Sequence, residues 1–194
     1  SNSGIETIAD LLTRFPRSYE DRKTHRPLSS VKSEGLVNTT VIITAQEWFG
    51  FGPKRTLKVR FEDDTGRGTL LCFGRNFLSD LLRVGESFRL FGYFQYKYGE
   101  LQSSSFETEA VSRTDSQFGR ILPVYPLSGS LTQGTMRKLT AQAIAGYGCH
   151  LEPELPAGLE QKRELLPLPE TLRLFHYPEN PEDPVKARRS FAYI

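Results

Sequence analysis

The chain has 194 residues, 25 Lys and Arg against 23 Asp and Glu for a net charge of +2, and 38% hydrophobic content. This suits an ordinary globular protein with room for one core and some helical decoration. It excludes a chain-wide basic field, so any contact with nucleic acid has to come from a local patch. No apolar run approaches the roughly 18 residues of a membrane span, and the N-terminus has neither a charged n-region nor an apolar h-region, so no membrane helix or signal peptide is expected.

The first predicted element is a short amphipathic helix. Thr7 and Asp10 make a capping signal, Ile8, Leu11, Leu12 and Phe15 recur at helical spacing, and Pro16 stops it. The charged run from Arg17 to Arg26 reads as an extended or looped connection. From Thr39 the period changes to two. TTVIITA (39–45) is β-branched and apolar, which suits a strand. WFGFGPKR turns the chain. Thr56 to Glu62 then alternates, with Leu57, Val59 and Phe61 inward and Lys58 and Arg60 outward. Asp63-Asp64-Thr65-Gly66 is a turn signal, TLLCF (69–73) a third strand, and Asn76 to Arg83 a brief helix. Ser87 to Tyr98 alternates again, with Phe88, Leu90, Phe94, Tyr96 and Tyr98 assigned to one side, and a fifth strand runs from about Leu101 to Val111.

The order β-β-β-α-β-β predicts a mainly β fold with flanking helices (β+α): a five-stranded OB-fold Greek-key barrel plus N- and C-terminal helical segments. Beyond Thr114 the pattern is helical. Thr132 caps a helix carrying Met136, Leu139, Ala143 and Tyr147, the proline-spaced stretch 151–169 is linker-like with a short helix at LEQKREL, and PETLRLFHY (169–177) is another helix. A final helix from Val185 runs off the end at Ile194, as expected of a piece of a longer protein. The expected division is 1–36 (N-terminal helical segment and connector), 37–113 (barrel) and 114–194 (helical extension and linker).

Catalytic machinery is not expected. There is no G-x-x-x-x-G-K-[ST] phosphate loop, His25, His150 and His176 lack a nucleophile context, and the Asp63–Asp64 pair is better explained by a turn. Cys72 and Cys149 lack zinc-ligand spacing and read as free thiols in a reducing cytoplasm. Neither metal nor cofactor is expected in this chain.

An OB barrel binds nucleic acid by combining cations with aromatic faces on which bases stack. Two places offer that combination. Phe73 and Phe77 flank Arg75 where the third strand runs into the helix, although Phe73 could end a core strand and Phe77 could plug the barrel. Trp48 and Phe51, with Lys54 and Arg55, lie on the hairpin between the first two strands, where Trp48 could equally be core. Arg89, Tyr93 and Lys97, on the polar face of strand four, could extend the surface or simply be solvated.

FPRSYEDR (Phe15 to Arg22) resembles the opening signature of the RecG helicase wedge. LPVYP (122–126), MRKLT (136–140), LPE (168–170), FHYP (175–178) and KARR (186–189) resemble later segments of that family, in order along nearly the whole chain. The resemblance implies a wedge that engages branched DNA (replication forks, Holliday junctions and their single-stranded arms) in DNA repair and recombination. It implies a monomeric parent in the bacterial cytoplasm, associated with the nucleoid, whose ATP and Mg2+ belong to a motor downstream. By position, Phe73 and Phe77 match the family's base-stacking pair. Cys72 and Gly74 stand where some relatives carry an aromatic residue and an asparagine, and the Trp48–Arg55 hairpin has no close counterpart. The competing expectations are a stand-alone single-strand binder and a protein-interaction adaptor.

Overall fold

The computed structural model describes residues 4–52, 55–113, 116, 118–127, 129–148 and 164–193. Contacts divide the chain into two compact units, one of Arg22–Gly119 and the other of Ser1–Asp21 with Arg120–Ile194.

The first unit is the barrel. Its strands are β2 (Glu34–Phe49), β3 (Thr56–Asp63), β4 (Gly66–Cys72), β5 (Ser87–Lys97) and β6 (Glu100–Ala110), closed in the order β2-β3-β4-β6-β5. Neighbours are antiparallel except β4 and β6, which close the barrel through a short parallel register, Thr69 opposite Gln102 and Leu70 opposite Ser103. This is the expected OB Greek-key topology. Alternation places Leu57, Val59 and Phe61 inside with Val37, Val41, Ile43, Leu70, Leu90 and Phe94, and the Phe61 and Phe94 rings meet edge-on at 5.8 Å. The DDTG turn is built on the Asp63 carboxylate, which accepts from the backbone N–H groups of Leu28, Thr65 and Gly66 and from the Thr65 hydroxyl. These bonds favour the charged form and hold the Asp63 pKa below its ordinary value, although burial opposes them.

Arg22 fixes the entry to the barrel. Its buried guanidinium forms two 2.7 Å bonds to Glu107 on β6 and lies 4.4 Å from the centroid of the Phe91 ring. That contact buries Phe91 on the side of β5 expected to be polar. A bulge between Tyr93 and Gln95 then interrupts the register with β6. Tyr96 and Tyr98, assigned inward by simple alternation, are exposed, because the end of the β5–β6 hairpin lies outside the closed core.

The second unit pairs two short strands, β1 (Ser18–Asp21) and β7 (Ile121–Val124), and adds α1 (Ile8–Leu12), α3 (Gln133–Tyr147), α4 (Leu168–His176) and α5 (Asp183–Phe191). The one-turn helix α2 (Leu78–Leu81) belongs to the barrel. Thr7 caps α1 in a full capping box with Asp10. Thr132 caps α3, but the buried face of α3 is Met136, Thr140 and Ala143, and Leu139 and Tyr147 are exposed. The signature residues serve as internal ties. Tyr19 donates to the Phe175 carbonyl, Arg137 to the Pro123 carbonyl and Tyr177 to the Arg137 carbonyl. Phe15 packs on Phe175 at 4.4 Å and on Phe191 at 4.7 Å.

His176 is fully buried, and its ring bridges the unit, with Nε2 2.9 Å from the Leu12 carbonyl and Nδ1 2.9 Å from the Tyr125 hydroxyl. A carbonyl can only accept, so Nε2 carries the proton and Nδ1 accepts from Tyr125. Burial pushes the imidazole down to about 4. The expected helix at LEQKREL, together with Cys149 and His150, lies outside the described residues apart from Glu164 and Leu165, which are not helical. Among the described residues no helix is long and apolar enough to cross a membrane.

Candidate nucleic-acid interface

The loop leaving β4 is short and tightly held. Cys72 ends the strand fully buried opposite Leu57, and burial raises its thiol to about 11. Phe73 therefore does not continue the core strand: it sits in the turn, 56% exposed. Gly74 follows at φ +65°, a conformation that a side-chain-bearing residue rarely adopts.

Arg75 then folds back onto β6. Its Nη2 donates to the Ser104 carbonyl at 2.8 Å, its Nη1 to the Phe106 carbonyl at 3.3 Å, and its Cζ lies 4.0 Å from the centroid of the Phe106 ring. The guanidinium is thus an anchor for the loop, directed at protein carbonyls. Phe77 precedes the helix as its N-cap and is 65% exposed. The barrel plug, the alternative role open to Phe77, is made by Leu78 and Leu82, one helical turn apart and both buried. Gln46 Nε2 satisfies the Ser79 and Leu82 carbonyls at the end of that turn. Two exposed rings therefore stand on a loop braced at both ends. Leu81 and Val84 extend the apolar surface.

The β2–β3 hairpin carries the second candidate group. Trp48 faces Leu57 and Phe49 faces Thr56 across the register, yet Trp48 and Phe49 remain partly exposed and Phe51 is 98% exposed. Arg55 stacks its guanidinium 4.3 Å from the centroid of the Trp48 ring, which presents a planar cation and an indole together. Lys54 lies outside the described residues. Leu57 pairs with both Trp48 and Cys72, so the base of this hairpin and the turn bearing Phe73 lie at the same end of the β2–β3–β4 sheet.

The outer face of β3 is different. Lys58 Nζ is 2.8 Å from Glu100, and Arg60 lies 3.0 Å from Glu47 and 3.6 Å from Glu100. The cations that a phosphate backbone would seek on the barrel wall are already compensated. On β5, Arg89 is paired with Glu109 at 3.2 Å, whereas Lys97 is exposed. The aromatic residues not singled out from sequence are Phe49 and the tyrosines at the β5–β6 tip. For Tyr98 the signal is the glycine that follows it, which places both residues in the turn of the hairpin. Among the described residues no group of His, Cys, Asp and Glu could hold a metal ion.

Residues 1–146 match the family described as the RecG wedge domain. Proteins named ATP-dependent DNA helicase RecG from Treponema pallidum and Escherichia coli K12 are 36% and 30% identical to the chain, over 97% and 90% of its length. The chain spans only 27% and 25% of those two proteins. A solved structure of RecG bound to a three-way DNA junction superposes on 97% of the chain with a TM-score of 0.82 at 28% identity, and the chain spans 26% of it.

Proposed function

The chain belongs to the RecG wedge family, and on that premise we propose that it engages branched DNA, at replication forks and Holliday junctions, by stacking Phe73 and Phe77 on bases parted at the branch point. The observation that carries this reading is the exposure of both rings on a loop that Arg75 and Gln46 hold in place. A base stripped of its partner loses stacking and pairing. A rigid ring already facing solvent restores stacking with little further ordering, at about 1–3 kcal/mol per base.

Trp48, Phe51 and Arg55 sit at the same end of the sheet as Phe73 and supply a second surface for a single-stranded arm, and Lys54, next to Arg55 in the sequence, adds a positive charge. The ion-paired wall of β3 favours contact through loop ends over a charged groove along the barrel. The matched relatives are named as ATP-dependent helicases. ATP hydrolysis and its Mg2+ are accordingly assigned to a motor outside this chain, in a parent acting as a monomer on nucleoid DNA in the cytoplasm.

The test is fluorescence anisotropy of the chain with a labelled fork and with a plain single strand of equal length, at low salt where phosphate contacts are strongest. The fork should bind more tightly, and Phe73→Ala with Phe77→Ala should lower fork affinity tenfold or more, on the order of one stacked base. Preference for the plain strand would overturn the wedge reading in favour of a single-strand binder. Absence of binding to either would leave the barrel as a protein-interaction scaffold.

A further inference from the structure

We infer that the β5–β6 hairpin is a separate base-stacking finger, in which Tyr98 takes a nucleobase of a single-stranded segment and Lys97 an adjoining phosphate. The inference rests on the nucleic-acid reading above but concerns a different element of the barrel.

Lys97 faces Glu100 as the closing pair of the hairpin, leaving Tyr98 and Gly99 as its two turn residues, at φ +54° and +78°. Positive φ at both positions is the primed turn that suits the twist of a hairpin, and its first position favours asparagine, aspartate or glycine. An aromatic residue there gains nothing locally. Its ring is 98% exposed, so it gains no packing either. Tyrosine is poorly suited to the turn and unused by the core, which is the pattern of a side chain placed for something outside the molecule.

The finger is stiff. Glu100 is tied to Lys58 at 2.8 Å, Gln102 Nε2 donates to the Lys97 carbonyl at 3.0 Å, the Tyr96 N–H donates to the Ser33 carbonyl at 2.8 Å, and Leu101 is buried at the base. Tyr96 is half exposed just below the tip. The nearby cations are not compensated as those on β3 are: Lys97 and Lys32, which precedes Ser33, are exposed and form no ion pair among the described residues. Rings with lysines beside them suit an occupant that is flat in part and anionic in part, which describes a nucleotide strand. The Glu100 carboxylate opposite Lys97 is bound to Lys58.

The decisive variant is Tyr98→Asn, because asparagine suits the turn better than tyrosine. If the ring has only a structural role, the change should hold or raise the melting temperature and leave DNA binding untouched. If the ring stacks on a base, the melting temperature holds while affinity for a fork with an oligothymidylate arm falls about tenfold, with the salt dependence unchanged. Lys97→Ala should instead reduce the salt slope by about one. Unchanged affinity in Tyr98→Asn, beside a loss in the Phe73→Ala, Phe77→Ala protein, overturns the finger and leaves the proposed wedge standing. Loss in Tyr98→Asn with none in the phenylalanine pair supports the finger and removes the pair from the wedge. No binding of the unaltered chain to any DNA overturns both.

Discussion

Two sets of aromatic side chains, one in each unit, are used in opposite ways. In the unit formed by both ends of the chain, Phe15, Phe175 and Phe191 pack on one another, and Tyr125 and His176 stack with ring centroids 5.8 Å apart. In the barrel, Phe51, Phe73, Phe77 and Tyr98 are held on turns and hairpins and are more than half exposed. Rings of the first kind stabilise the fold by leaving water. Those of the second kind bury little area and contribute little to the fold. Residue type does not separate the two sets; what separates them is whether the backbone that carries each ring turns toward or away from a core.

The comparison breaks most visibly at Phe175. It is 4% exposed between Phe15 and Phe191, so Phe175→Ala removes a packed ring and should destabilise its unit by about 3–5 kcal/mol. Chemical denaturation followed by circular dichroism measures this, and a loss no greater than that from Phe73→Ala would erase the distinction drawn between the two sets.

Acid should act on the same unit next most strongly. His176 is neutral when folded, with its pKa depressed from 6.5 to about 4, so below 6.5 the unfolded chain binds a proton that the folded chain does not. The stabilisation is fully present above pH 6.5 and is lost as pH falls toward 4, by about 3 kcal/mol at the lower end. Melting curves between pH 7 and 4 should show this slope, and His176→Gln should flatten it. An equally steep slope in the variant would assign the acid sensitivity elsewhere.

Arg75 sharpens the comparison from the barrel side. Its two bonds to the β6 backbone and its seat on Phe106 make it a brace, so Arg75→Ala should cost about 1–3 kcal/mol and loosen the loop bearing both phenylalanines. Fork affinity should fall with it. The salt slope should stay the same, because the guanidinium is directed at carbonyl oxygens; a reduced slope would show Arg75 to be a phosphate contact instead.

What could be read in advance follows the same division. The barrel was legible because Leu57, Val59 and Phe61 alternate with Lys58 and Arg60, and because the strand order matches a small set of closed topologies. The pairing of Ser18–Asp21 with Ile121–Val124 was not legible, since each strand is a short four-residue segment and the two are far apart in the sequence. Nor was the role of His176, a lone histidine whose partners Leu12 and Tyr125 are distant in sequence. The segments that carry the family resemblance (Phe15, Tyr19 and Arg22, then Tyr125, Arg137 and Phe175) prove to be architecture, which is why they identify the fold more readily than the site. Phe77 had two open readings because one residue of helix phase decides between plug and platform, and Phe73 because one residue decides where the core strand ends. Simple alternation misplaced Tyr96 and Tyr98 because it takes no account of where a strand leaves the barrel.

The smallest expected stability effect belongs to the residues expected to matter most for binding. Phe73 and Phe77 are more than half exposed, so replacing both with alanine removes little buried area. Thermal stability should change by less than about 1 kcal/mol, the range of ordinary surface substitutions. The β4–α2 loop should keep its shape, because Arg75, Gln46, Leu78 and Leu82 hold it without help from either ring. A double-mutant cycle makes the point quantitative: two rings that touch different bases and not each other should show additive losses in fork affinity and almost no coupling in stability. Strong coupling in stability would mean that the rings pack together in solution, and the exposed platform would then be a small core closed over itself.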